Sequence, residues 1–132
     1  MKVWDLETGR ELFTLAGHSA SVRGCAISAN GKRAVSASVD QTVKVWDLET
    51  GRELLTLTGH SNSVNGCAIS GDGKRAVSAS YDETVRVWDL QAGECLSTLA
   101  VDGPLKACAM SLDGLTIVAA GARGIYFLKL VT

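Results

Sequence analysis

The chain has 132 residues, 46% of them apolar and 20% charged, and its 13 basic and 14 acidic side chains leave a formal charge of −1. The length suits a domain, and the charge balance argues against a strongly basic nucleic-acid surface. No apolar run reaches the roughly 18 residues of a membrane-crossing helix, and the opening MKVWDLETGR lacks the apolar segment of a secretory signal.

In chain order, the first elements predicted are two short strands, Lys2 to Leu6 and Arg10 to Leu15. A unit spanning residues 16–57 follows, with strands at Val22 to Ser28, Arg33 to Ser38, Thr42 to Leu48 and Arg52 to Leu57. The Asn30-Gly31 pair between the first two supplies the positive φ values of a tight hairpin, and Gly51 suits a left-handed position before the fourth. A second unit, residues 58–99, repeats the pattern at Val64 to Ser70, Arg75 to Ser80, Thr84 to Leu90 and Glu94 to Leu99. A degraded third, residues 100–132, gives Leu105 to Ser111, Leu115 to Ala120 and Gly124 to Leu130. β-branched and aromatic residues between closely spaced turns favour strand over helix throughout. The first two strands match the third and fourth strands of a unit that would precede them.

The repetition is close to literal. Trp4, Trp46 and Trp88 stand 42 residues apart, as do His18 and His60, and Cys25 and Cys67. A period of roughly 40–45 residues marks a repeat architecture, in which each unit relies on its neighbours for a core. RAVSAS is small on both faces, and in TVKVWDL Val43 and Val45 point one way and Trp46 the other. Strands apolar on both faces are covered on both sides, so the expected class is all-β, with sheets stacked face to face around an axis.

Cys25, Cys67 and Cys108 occupy one slot in successive units, and Cys95 stands apart. Equivalent slots of stacked sheets lie about 10 Å apart, beyond the roughly 7 Å limit for a disulfide. Small buried thiols in a reducing cytoplasm are therefore expected.

Gly-His, then Asn-Gly or Asp-Gly, then Ser-Ala-Ser, then Asp, then Trp-Asp, twice at fixed offsets, resembles the WD40 repeats of the β-propeller family. The resemblance covers nearly the whole chain. It implies a four-residue hydrogen-bond network in each full blade: His18, Ser36, Asp40 and Trp46, then His60, Ser78, Asp82 and Trp88. The indole N–H only donates, the serine hydroxyl can accept it and donate to histidine, and the other histidine nitrogen can donate to aspartate. In the third unit Val101 or Asp102 replaces His, Ala119 replaces Ser, Arg123 or Gly124 replaces Asp and Leu128 replaces Trp. Its hairpin is one residue shorter, and apolar packing by Ile117, Val118, Ile125, Phe127 and Leu128 is expected to hold it.

His, Ser and Asp together invite a hydrolase reading. Ser36, however, lies inside a strand rather than on a strained elbow, and the set recurs with Trp in fixed register. Without C-x-x-C or closely spaced histidines a zinc site is not expected either. No catalytic residue, metal or cofactor is predicted.

In the family, partners often dock on the face carrying the start of each first strand and the residue before the tetrad Asp. Here these are Ser21, Arg23 and Val39, then Ser63, Asn65 and Tyr81, then Pro104, Lys106 and Ala122. Residues 2–48 differ from residues 44–90 at nine positions, and Arg23/Asn65 and Val39/Tyr81 are among them. Variation there on an otherwise repeated frame fits a binding surface, though solvated drift explains it equally well.

Propellers close with about 4–8 blades, and this chain carries roughly three. Its end sheets would expose more apolar surface than a monomer tolerates. Homo-oligomerisation or a longer parent chain must cover them. Two copies (about six blades) are favoured over three, with Arg10 to Leu15 closing a neighbour's third blade and Lys2 to Leu6 left over. The reading is a non-catalytic protein-interaction scaffold binding neither nucleic acid nor membrane. It resembles the propellers attached to bacterial signalling ATPases or kinases. The alternatives are a minimal or engineered self-assembling propeller and an enzyme with a central-channel site.

Overall fold

The computed structural model describes residues 1–129. Thirteen strands form its regular structure among these residues: β1 Lys2–Trp4, β2 Glu11–Thr14, β3 Val22–Ile27, β4 Arg33–Ser38, β5 Val43–Asp47, β6 Arg52–Leu57, β7 Val64–Ile69, β8 Arg75–Ser80, β9 Thr84–Asp89, β10 Glu94–Ala100, β11 Leu105–Met110, β12 Thr116–Gly121 and β13 Gly124–Lys129. They make four antiparallel sheets: the pair β1-β2, two four-stranded blades, β3-β4-β5-β6 and β7-β8-β9-β10, and the three-stranded β11-β12-β13. The fold is all-β, a row of blades that does not close on itself.

Several strands end sooner than expected, each for a local reason. β1 stops at Trp4 because the Asp5 carboxylate accepts the backbone N–H groups of Glu7 and Thr8, turning the chain early. β3 stops before Ser28, whose hydroxyl donates to Asn30 and accepts the N–H of Arg33. At the expected Asn-Gly hairpin only Gly31 has positive φ, at 71°. Asn30 contributes its side chain instead, accepting from Ser28 and from the N–H of Lys32. Gly51 is left-handed as expected, with φ 75°. Less expected, Gln41 and Glu83 are left-handed without being glycine. The third unit keeps the length of its first hairpin, since Met110 faces Ile117 as Ile27 faces Ala34. The missing residue belongs to the β12–β13 turn, where Gly121 faces Gly124 directly. Leu130, placed in the last strand by the sequence, lies outside the described residues.

The core sits between sheets rather than within one. Val35, Val43, Val45 and Leu57 of the first full blade bury against Val64, Cys67, Ile69 and Trp88 of the second. Val77, Val85 and Val87 then bury against Leu105, Ile117 and Ala119 of the third. The β1-β2 hairpin covers Trp46 and Ala34 through Val3, Phe13 and Leu15. Each interface takes one face of each sheet, so the small residues of RAVSAS are buried on both sides.

Two expectations about burial need correction. Of the equivalent cysteines only Cys67 is buried. Cys25 is exposed and Cys108 half-buried, and all four thiols are unbridged. In the third unit Ile117 is buried, but Ile125 and Phe127 are 65% and 77% exposed, so they do not hold that sheet. They lie on β13, beyond which no blade stands among the described residues.

The inner strands β3, β7 and β11 abut backbone to backbone. A Cβ on Gly24 would lie 3.3 Å from the carbonyl of Asn65, and one on Gly66 only 2.9 Å from Ala107 Cα. Glycine is what permits this approach.

Candidate functional site

The two repeated polar sets are joined at hydrogen-bond distance. His18 Nε2 lies 2.7 Å from Ser36 Oγ and its Nδ1 2.8 Å from Asp40 Oδ2, while Trp46 Nε1 donates to Ser36 Oγ at 2.8 Å. In the next blade the same distances for His60, Asp82, Ser78 and Trp88 are 2.6, 2.8 and 2.9 Å. A carboxylate can only accept, so Nδ1 carries the proton and Nε2 accepts from the serine hydroxyl. Burial holds the His60 pKa below the ordinary histidine value, although Asp82 pulls the other way. That matches a neutral ring.

One threonine, missed in the sequence, completes each set. Thr42 Oγ1 donates to Asp40 Oδ1 at 2.6 Å, and Thr84 does the same for Asp82. Backbone N–H groups of Ser19 and Thr42 also reach Asp40. Burial opposes ionisation of Asp40, but these hydrogen bonds outweigh it and bring its pKa down to about 2. The signal for Thr was present: Asp-x-Thr repeats at the same offset in both units.

This chemistry locks a turn rather than cleaving a bond. Ser36 and Ser78 are fully buried, so no substrate reaches either hydroxyl, and each accepts a hydrogen bond from tryptophan. Among the described residues no group of three or more His, Cys, Asp or Glu is placed to hold a metal ion.

The third blade has its own tie. Tyr126, at the register of Lys44 and Arg86, donates its hydroxyl to Asp102, one of the two candidates for the histidine slot. Trp4 stands at the other extreme. It shares the register of Trp46 and Trp88, which are 1% and 2% exposed, yet is 52% exposed itself. Among the described residues no strand stands beside β1 in the place of β4 and β8 to present a serine.

The nine residues of the candidate face divide into three groups. Ser21, Ser63 and Pro104 offer backbone carbonyls to the N–H groups of Val39, Tyr81 and Ala122, one bond per blade. Ser63 is buried, so it belongs to the frame. Arg23, Asn65, Tyr81 and Lys106 converge instead on one shallow depression of about 280 Å³. Val39 and Ala122 are exposed outside it.

A family model described as "WD domain, G-beta repeat" matches residues 9–47 and 51–89, more than half of the chain. The chain belongs to the WD40 repeat family. The model divides the WD40 repeats out of phase with the sheets, beginning each match near the fourth strand of the preceding blade. No curated protein matches the sequence. Among solved structures, "Structure of U3-55K" superimposes with a TM-score of 0.90 at 28% identity, over 98% of this chain and 42% of that one. "Crystal structure of RRP9 WD40 repeats" gives 0.85 at 29% identity, over 92% and 38%. This WD40 chain therefore spans less than half the length of the structures it resembles.

Proposed function

We propose that this chain is a non-catalytic protein-interaction scaffold, part of a WD40 propeller that presents the end of its blades bearing Arg23, Asn65, Tyr81 and Lys106. The observation carrying this reading is their convergence. Three neighbouring blades bring four dissimilar, exposed or half-exposed side chains into one depression, while the repeated tetrad side chains are buried in the frame. Chemistry grafted onto an invariant scaffold is how one fold serves many partners. Free thiols suit a reducing compartment, the cytoplasm. A role as the binding region of a larger signalling protein fits the chain's short span relative to the structures it resembles.

Capture of partners on the purified chain tests the reading, with Arg23→Ala/Tyr81→Ala as the control. A partner lost by the double variant, at unchanged melting temperature and unchanged mass in solution, supports it. Retention of every partner overturns it.

Open sheet faces favour a second role, self-association. Trp4 and Ile27 are exposed on the leading side, and Ile125 and Phe127 on the trailing side. If the 132 residues act alone, two copies making about six blades are favoured over three. That closure is not free. β2 is already paired with β1, and β1 and β13 are both third strands, so one must give way. With β1 in that place, the Trp4 indole would meet Ala119 where Trp46 and Trp88 meet a serine hydroxyl. A folded monomer by light scattering would remove this role and leave the interaction face standing.

A further inference from the structure

We propose that the depression between Arg23, Asn65, Tyr81 and Lys106 recognises an acidic peptide segment, a run of Asp or Glu side chains on a protein partner. The proposal rests on the interaction-face reading and specifies its chemistry.

The geometry begins with three bulges. Val22 faces Ser38 but Gly24 faces Ala37. Val64 faces Ser80 but Gly66 faces Ala79, and Leu105 faces Gly121 but Ala107 faces Ala120. The residue skipped in each ladder is Arg23, Asn65 or Lys106. A bulged residue is left unpaired and its side chain re-aimed, a device common beside functional sites. The close approach of β3, β7 and β11, allowed by Gly24 and Gly66, sets the three bulges side by side. The same irregularity, repeated on adjacent strands, therefore gathers three side chains at one end of the blades.

The chemistry of the three differs from blade to blade, and the difference makes a site of one sign. Asn65 is already committed: its Nδ2 donates to the carbonyl of Leu105 at 2.9 Å and its Oδ1 accepts from Ser63 Oγ at 2.9 Å. It forms a fixed floor between two cations. Neither Arg23 nor Lys106 joins the ion pairs found among the described residues, whereas Lys2, Arg33 and Lys44 each do. None of the residues lining the depression is a carboxylate. Asp40 and Asp82 are spent on His18 and His60, and Asp102 on Tyr126, while the exposed Glu83, two residues past Tyr81, stands outside the lining. Two forked or mobile donors on either side of a neutral floor suit carboxylates. Tyr81, 45% exposed, adds an aromatic wall of the kind that anchors protein interfaces. A space of about 280 Å³ takes one or two side chains. Two cations on a chain of net charge −1 do not make the extended basic track that a nucleic-acid backbone needs.

Binding of short fluorescein-labelled peptides to the full chain, read by fluorescence polarisation, tests this. The probes alternate Glu and Gly, Gln and Gly, or Lys and Gly, and single-stranded oligothymidylate of matched length is the fourth. The Glu peptide is expected to bind about tenfold tighter than the Gln peptide, with the preference weakening as salt rises. Arg23→Gln and Lys106→Gln should each remove part of that preference, and together all of it, at unchanged melting temperature. Equal binding of Glu and Gln peptides, lost in Tyr81→Ala, would overturn the acidic specificity while keeping the interaction face. Oligothymidylate binding as tight as the Glu peptide would point to a general polyanion site and overturn the proposal. Absence of binding by any probe would overturn it as well. Partner capture unaffected by Arg23→Ala/Tyr81→Ala would instead remove the face itself.

Discussion

Arg86 Nη1 lies 3.7 Å from the sulfur of Cys95, at the place where Lys44 Nζ meets Glu53 Oε1 at 2.7 Å one blade earlier. Lys2 and Glu11 form the same pair in the N-terminal hairpin at 3.2 Å. The third strand thus offers a cation to the fourth in all three cases, and Cys95 breaks the pairing. Arg86 is left with a buried Nε that has no hydrogen-bond partner among the described residues.

Replacing the sulfur by a carboxylate should repair this. Cys95→Glu is expected to stabilise the chain by about 0.5–1 kcal/mol, the upper part of the range for partly exposed ion pairs. The thermal midpoint should rise by a few degrees. Glu53→Cys should move it the other way, because Lys44 is 8% exposed and loses its carboxylate. Differential scanning calorimetry of the two variants decides the matter. A fall with Cys95→Glu would mean that the fourth strand lacks room for the longer side chain.

The tetrads are expected to behave as frame. Trp88→Phe removes the donor to Ser78 and should cost about 1–3 kcal/mol, lowering the midpoint without abolishing the fold. Trp4→Phe is the internal control, since Trp4 is half-exposed and no serine strand stands beside β1 among the described residues. It should change stability far less. Equal losses for both substitutions would place the cost in packing rather than in the hydrogen bond.

Acid should unfold the chain in two stages. The folded pKa of His60 lies below its unfolded value, chiefly through burial, so the unfolded chain takes up its proton first. That contribution to stability is present above the unfolded histidine value of about 6.5 and is lost as pH falls from there. Asp40, at about 2 when folded, and Asp82, shifted down likewise by Thr84 and His60 against an opposing burial effect, follow the carboxylate pattern. Their contribution is present above roughly pH 4 and is lost as pH falls towards the folded values. Melting curves between neutral pH and about pH 2 should show a midpoint falling in both windows. His60→Gln should erase the first fall and keep the Asp40 share of the second. A midpoint that rises on acidification from neutral pH would contradict the neutral, buried ring.

Tyr126→Phe should loosen the third blade at its outer strand, because it deletes the hydroxyl that reaches Asp102. Hydrogen exchange at the β13 amides should quicken, with little change in β7 or β8, whose tetrad is untouched. Uniform acceleration across all blades would show that this contact supports the whole array.

Much of the frame was legible in residues that are close neighbours in the chain. Gly51 signalled a left-handed turn, and Asp-x-Thr repeats in both units, but only the folded turn shows each threonine hydroxyl on its aspartate. The bulges were not legible. Nothing in VRGCAIS distinguishes a regular ladder from one that skips Arg23, because the skip is a relation between two strands. The Tyr126 to Asp102 tie was hidden for the same reason: its partners are separated by a hairpin and a shortened turn.

The amino-acid order alone determined the period, the strands and the glycine turns, since these follow from local backbone preference, while the four groups of each tetrad, spread over 28 residues, were legible only through the resemblance to WD40 repeats. It could not determine burial. Cys25 and Cys67 sit in the same GCAIS, yet one is exposed and the other buried. Ile27 is 60% exposed and Ile69 7%. The difference is the neighbour: β7 packs against sheets on both sides, while β3 meets a second full blade on one side only. Exposure in a stack belongs to the interface and not to the residue, so only the assembled blades could decide it.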